Sequence, residues 1–212
     1  MRYERKYKVE QVHPRVVEQI IRLHPAGFRP LFPPRRVHNL YFDTPDFAAF
    51  QDNVTGTPQR LKYRLRWYGA HFGQVANPVL EIKVKDNLLG WKKHLPLEKG
   101  QYAYGDFPAL VAHCRQLTGK GLDLQPVLLN TYQRSYWTAP ALPFRVTIDS
   151  ELRFGQYAAG APPRLTLRDE SVVLEVKYDA TADSDTAFVL QHLPFRLSKN
   201  SKYVTGINLV YG

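Results

Sequence analysis

The sequence predicts an α+β, mainly β fold: an eight-stranded antiparallel barrel with a charged interior and helices packed outside. Three observations predict it. Eight segments alternate apolar and ionic residues with a period of two, three short segments carry apolar residues at helical spacing, and the chain holds 13 Tyr, 11 Phe and 3 Trp. The 212 residues show no repeat and no low-complexity linker, so they read as one domain, 1–212.

The elements follow in order. The first strand is expected near Arg2–Val9, where Arg2, Glu4, Lys6 and Lys8 share a face. His13–His24 reads as a helix, with Val16, Val17, Ile20, Ile21 and Leu23 as its apolar stripe. Pro30–Pro34 reads as a turn or loop, and Val37–Asp43 as the second strand. Asp43, ahead of Thr44 and Pro45, suits a turn or helix cap better than a ligand role. Arg60–Tyr68 sets Lys62, Arg64 and Arg66 against Leu61, Tyr63, Leu65 and Trp67. Val79–Lys85 sets Glu81, Lys83 and Lys85 against Leu80, Ile82 and Val84, and Trp91–Leu97 is the fifth strand. Trp67 and Trp91 are expected in the outer apolar layer.

Phe107–Leu117 is a second helix, with Cys114 packed inside it. Val127–Tyr136 and Phe144–Arg153 are strands, the latter opposing Arg145, Thr147 and Asp149 to Phe144, Val146 and Ile148. Tyr157–Pro163 reads as a loop. Val172–Asp179 opposes Glu175, Lys177 and Asp179 to Leu174, Val176 and Tyr178, and Thr186–Leu193 is the third helix.

A net charge of +10 and a pI near 9.7 point to a polyanionic partner, and leave nucleic acid, acidic lipid and polyphosphate open. One cysteine makes neither an internal disulfide nor a cysteine metal site, so a reducing, cytoplasmic setting is expected. No window approaches the ~20 apolar residues of a membrane span, and Met1–Glu4 begins no signal peptide.

Alternation of this kind ordinarily means a sheet with one face in water. These polar faces, however, are almost entirely ionic, and the helix stripes need an apolar surface to cover. Apolar strand faces turned outward against helices would leave the ionic faces inside. Cations then outnumber carboxylates two to one on those faces. Unpaired charges in a confined site cost several kcal/mol each, so an anionic ligand, water or counter-ions must offset them. Arg grips phosphate oxygens with a fork and Lys adds point charge.

The ordered stretches Arg2-Tyr3-Glu4-Arg5-Lys6-Tyr7, Asn39-Leu40-Tyr41-Phe42-Asp43-Thr44-Pro45, Lys62-Tyr63-Arg64-Leu65-Arg66-Trp67-Tyr68 and Leu80-Glu81-Ile82-Lys83 are joined by four more. These are Tyr132-Gln133-Arg134, Arg145-Val146-Thr147-Ile148-Asp149, Leu174-Glu175-Val176-Lys177 and Ser201-Lys202-Tyr203. Together they resemble the triphosphate tunnel metalloenzymes, and within them the VTC-type polyphosphate polymerase domain. The resemblance implies an eight-stranded tunnel that binds phosphate chains, with ATP and inorganic polyphosphate as substrates and Mn²⁺ or Mg²⁺ as cofactor. It implies catalytic roles for Lys6, Arg64, Arg66 and Lys202. It implies phosphate binding by Lys62, Lys83, Lys85, Arg134, Arg145, Lys177, Lys199, Ser201 and Tyr203, and metal ligation by Glu175 with Glu4. In the wider superfamily two alternate glutamates precede the lysine; Arg2 stands in the first place here, which tilts the expectation from hydrolase to polymerase. A tripolyphosphate or nucleoside triphosphate hydrolase and a non-catalytic polyphosphate-binding module are the alternatives. Nucleic acid is not expected, and any membrane-protein partner would act in trans.

Overall fold

The alternation laid out above builds the sheet. The computed structural model describes residues 2–69, 74–87, 89–103, 106–118, 121–159, 161, 164–179 and 182–212, without the side chains of Arg2 and Asp183. The role expected of the Arg2 side chain lies outside the described residues, as do Gly160, Pro162 and Pro163 of the expected loop. In chain order the elements are β1 (Arg2–Val9), α1 (Pro14–Arg22), β2 (Arg29–Asp43), α2 (Ala48–Thr55), β3 (Gln59–Tyr68), β4 (Val75–Ala76), β5 (Val79–Asp86) and β6 (Leu89–Leu95). They continue with β7 (Gln101–Tyr102), α3 (Phe107–Thr118), β8 (Gln125–Thr138), β9 (Phe144–Gly155), β10 (Leu167–Asp169), β11 (Val172–Asp179), α4 (Asp183–Gln191) and α5 (Lys202–Tyr211). All eight expected strands are present. No pairing among the described residues closes them into a barrel, and no helix among those residues is long and apolar enough to cross a membrane.

The chain forms two compact units. Unit 1 comprises Met1–Arg35, Tyr132–Leu152 and Asp169–Asn200; unit 2 comprises Arg36–Thr131, Arg153–Arg168 and Ser201–Gly212. In unit 1 the strands neighbour one another in the order β1, β11, β9, β8, β2. Tyr7, Val146, Ile148, Leu174 and Val176 turn to one side and are buried with Val17 and Ile21 of α1 and Val189 of α4. Each such aliphatic side chain contributes about 1.5–3 kcal/mol on full burial. Helix α1 begins where His13 Nδ1 accepts the Arg15 N–H and Pro14 opens the first turn.

The Pro30–Pro34 stretch is a correction: it is strand, the first half of β2. Pro fits extended backbone where its missing N–H breaks no ladder, and the register of β2 with β3 begins only at Val37, beyond the prolines.

In unit 2 the order is β8, β2, β3, β5, β6, with β4 and β7 as a separate pair. Leu40, Phe42, Leu65, Trp67 and Leu80 are buried with Phe107, Leu110, Val111 and Cys114 of α3. Burial pushes the Cys114 thiol up to about 12, so it is an inert packing residue as expected. Trp91 departs from expectation, since half of it is exposed.

Two helices have no counterpart in the sequence reading. In α2 only Ala49 is buried, so no apolar stripe announces it. Its first turn is held instead by Asp43, whose Oδ1 accepts the Ala49 N–H (2.9 Å) and whose Oδ2 accepts that of Phe50 (3.0 Å). In α5, Val204, Thr205 and Gly206 are poor helix formers, so packing fixes the helix. A Cβ on Gly206 would stand 2.5 Å from Leu128 Cδ2 and 2.7 Å from Phe154 Cδ1. Both neighbours are fully buried and have little room to yield. Gly206→Ala is therefore expected to destabilise the fold by about 1–3 kcal/mol. Chemical denaturation checks this, and wild-type stability would contradict the placement of α5.

Candidate functional site

The two units carry different charge patterns on their polar strand faces. On unit 1 the antiparallel register sets Glu4 opposite Lys177, and Lys177 opposite Arg145. One step along, Lys6 faces Glu175, and Glu175 faces Thr147. The first row thus holds one carboxylate and two cations, and the second holds one of each. Lys6 Nζ lies 2.8 Å from Glu4 Oε1 and donates to the Asn200 carbonyl at 3.2 Å. Lys177 Nζ lies 2.5 Å from Glu175 Oε1.

Glu175 is buried. Burial pushes its carboxyl up, but Lys177, Lys6 and Arg134 outweigh that, and a hydrogen bond from Glu4 acts the same way. The balance holds Glu175 ionised, well below the usual carboxylate range. Two carboxyl groups close enough to share a hydrogen bond need a proton or a cation between them. Lys6 supplies one such cation, 2.8 Å from Glu4 and facing Glu175, and the two carboxylates are the oxygen donors that a hard divalent ion takes, its remaining positions filled by water or phosphate oxygens. Among the described residues no cluster of three or more His, Cys, Asp or Glu offers a fuller cage.

Arg134 is committed within unit 1 differently from expectation. Its Nε and Nη2 donate to the two oxygens of Asp149 at 2.5 and 2.6 Å, a bidentate pair. Burial works against the Arg134 charge, but Asp149 dominates and raises its pKa well above the ordinary value. Arg145 and Lys199 are exposed.

The polar faces of β3, β5 and β6 in unit 2 are mainly cationic. Lys62 stands opposite Lys83, and Lys83 opposite Lys92, so three lysines form one row across β3, β5 and β6. Like charges directly opposite one another destabilise a sheet unless an anion offsets them. In the next row Arg64 faces Glu81, the two side chains are paired, and Lys92 Nζ stands 3.4 Å from Glu81 Oε2. Burial pushes Glu81 up, but Arg64, Arg66 and Lys92 together bring it down to about 2. Arg66 Nε donates to Asn39 Oδ1 (2.9 Å), and Asn39 Nδ2 donates to Asn130 Oδ1 (2.8 Å).

A carboxyl depressed in the fold stabilises it above the ordinary value of 4.5, and that contribution fades as pH falls toward 2. Wild-type protein is therefore expected to exceed Glu81→Gln in stability at neutral pH, with the gap closing across that acid window. Urea unfolding at several pH values checks this; a gap independent of pH would contradict it.

The start of α5 meets the same unit 2 face. Ser201 is the helix N-cap, accepting the Val204 N–H, and its hydroxyl also accepts from Lys62 Nζ at 2.9 Å. Lys202 follows in the first turn. Tyr203, expected to bind phosphate, is 2% exposed and its hydroxyl donates to Asp43 Oδ2, so it acts as a buried strut. Burial first, then Asp43, raises its pKa far above the ordinary phenol. Lys85 lines a cavity of about 530 Å³ whose other walls include Leu61, Tyr63, Val84 and Trp91. Lys92 and Asn130 are not among the residues expected from the sequence, and Asn39 enters there only as part of a stretch, with no role of its own. Lys92 falls inside the predicted fifth strand, but only the register joins it to Lys83 and Lys62.

The VTC domain family profile matches residues 1–211. Solved structures with a similar fold include a candidate adenylate cyclase from Vibrio parahaemolyticus. It is 12% identical, with 96% of this chain and 97% of that chain covered and a TM-score of 0.53. A second is a candidate adenylyl cyclase from Hippeastrum with a dominant triphosphatase activity (13% identity, 98% and 96% covered, TM-score 0.50). A third is a conserved protein of undetermined role from Pyrococcus furiosus (12% identity, 96% and 99% covered, TM-score 0.51). At these identities the likeness carries the fold alone. No curated protein sequence matches this one.

Proposed function

The chain belongs to the VTC domain family and has the triphosphate tunnel metalloenzyme fold, and on that premise we propose that it is a metal-dependent polyphosphate polymerase. In this reading it transfers the terminal phosphate of ATP to a growing polyphosphate chain. The observation that carries the reading is the lysine row Lys62–Lys83–Lys92, on a face where one carboxylate, Glu81, serves both Arg64 and Lys92. Such a row suits an extended polyanion, whose charges repeat along its length.

Phosphoryl transfer asks a protein mainly to align groups and to stabilise negative charge. The unit 2 cations Lys62, Lys83 and Arg66 bind phosphate oxygens, and Lys202 adds charge at the start of α5. On unit 1, Lys6, Lys177 and Arg145 do the same, and Glu175 and Glu4 would hold Mn²⁺ or Mg²⁺. When bound, that ion supplies Lewis-acid stabilisation of the transferring phosphoryl group. Asp149 and Arg134 position one another, and Arg134 steadies the ionised Glu175. No nucleophilic side chain is required.

The triphosphatase activity named for the Hippeastrum structure favours a second reading, hydrolysis of a triphosphate. Incubation of the protein with ATP and Mn²⁺, followed by a gel for polyphosphate and an assay for free phosphate, separates the two. Long chains are expected. Free phosphate alone would overturn the polymerase reading in favour of the hydrolase.

A further inference from the structure

A basic and aromatic cluster on unit 1 lies outside the groups used above. Arg35 on β2 stands over two rings, with its guanidinium carbon 5.5 Å from the centre of Phe32 and 4.9 Å from that of Tyr136. The rings meet edge to face, 5.8 Å apart at 81°. Half of Phe32 is exposed, on a strand stiffened by Pro30, Pro33 and Pro34. Proline limits the conformations the unfolded chain must give up, so this ring is held out at small entropic cost.

Tyr136 connects the cluster to the polar face. Along β8 the buried residues Ser135 and Trp137 turn the other way, and Trp137 enters the apolar core. Tyr136 therefore shares its face with Arg134, two residues away. The face that carries Glu175 and its cations thus runs into an exposed π surface bearing a cation. Arg35 can grip a phosphate, but the two rings offer a phosphate chain nothing. They suit a nucleobase, since bases stack on aromatic rings and on guanidinium planes with little regard to sequence.

We propose that Phe32, Arg35 and Tyr136 form a stacking subsite for the purine base of a nucleoside triphosphate, an inference that rests on the triphosphate-binding reading above. It gives the protein a way to tell its nucleotide donor from an inorganic phosphate chain of equal charge. The three residues act on binding; none of them touches the transferred phosphate.

Calorimetric titration with the magnesium salts of ATP and of inorganic tripolyphosphate tests this. The proteins compared are the wild type, Phe32→Leu and Tyr136→Leu. Each variant is expected to bind ATP about tenfold more weakly and tripolyphosphate within about twofold of wild type. Phe32→Leu keeps apolar bulk at an exposed site, so an unchanged melting temperature separates lost stacking from lost folding. Equal losses for both ligands, or no loss for either, would overturn the inference while leaving the phosphate site intact. If the wild type binds neither ligand, the triphosphate reading itself falls, and the subsite falls with it.

Discussion

Glu175→Gln is expected to lower metal-dependent turnover by about a hundredfold or more. The substitution keeps the shape of the side chain and removes one of the two carboxylates that fit a divalent ion. It also leaves Lys6 and Lys177 facing a neutral group, because both are drawn to Glu175 in the native arrangement. The variant should consequently require more Mn²⁺ for half-maximal activity and should still fold, since an amide can accept from either lysine. Activity measured across a metal titration, alongside circular dichroism, checks both parts. Wild-type turnover at low metal would remove Glu175 from the metal site. Glu4→Gln should show the same direction with a smaller effect, because Glu4 is the more exposed of the pair.

Arg64→Ala should have the largest effect on stability. It removes the closest partner of Glu81, a carboxylate with almost no solvent contact, and leaves Arg66, Lys92 and His94 near it. Breaking a buried pair from one side costs about 3–5 kcal/mol when the surviving charge loses its compensation; Arg66 and Lys92 still offset part of the Glu81 charge, so the low end of that range is expected. Arg64→Ala/Glu81→Ala should recover part of that loss, since removing both charges also removes the uncompensated one. Urea unfolding of the two single variants and the double variant gives the coupling directly. Additive losses would mean that the two side chains do not act as a pair. The same Arg64→Ala protein should bind long-chain polyphosphate more weakly than wild type, because a charged donor has gone from the cationic face.

The strand pattern was readable because charge alternation on β3, β5, β9 and β11 is so regular that each polar residue has an apolar neighbour on the opposite face. The same rule failed for β2, where prolines mask an extended segment, and for α5, whose residues favour other conformations until Gly206 seats against Leu128 and Phe154. The charge count was also legible, but its partition was not. A two-to-one excess of cations over carboxylates describes the ionic strand faces taken together. Register reveals that the carboxylates Glu4, Glu175 and Asp149 belong to unit 1, each beside its own cation. Register likewise gathers Lys62, Lys83 and Lys92 into one row on unit 2. A strand read alone shows which face a side chain takes, never which side chain stands opposite. For that reason the phosphate role that the resemblance implies for Tyr203 gives no sign that its hydroxyl is taken by Asp43, far away in sequence.

The central claim is that the lysine row is a phosphate site and not a solvated sheet face. Calorimetric titration of long-chain polyphosphate into wild-type protein and into the Lys62→Ala/Lys83→Ala/Lys92→Ala variant tests it most directly. Saturable binding by the wild type is predicted, weakened by about a hundredfold or more in the variant as three charged contacts are lost. Binding that is absent from the wild type, or that survives unchanged in the variant, would contradict the account.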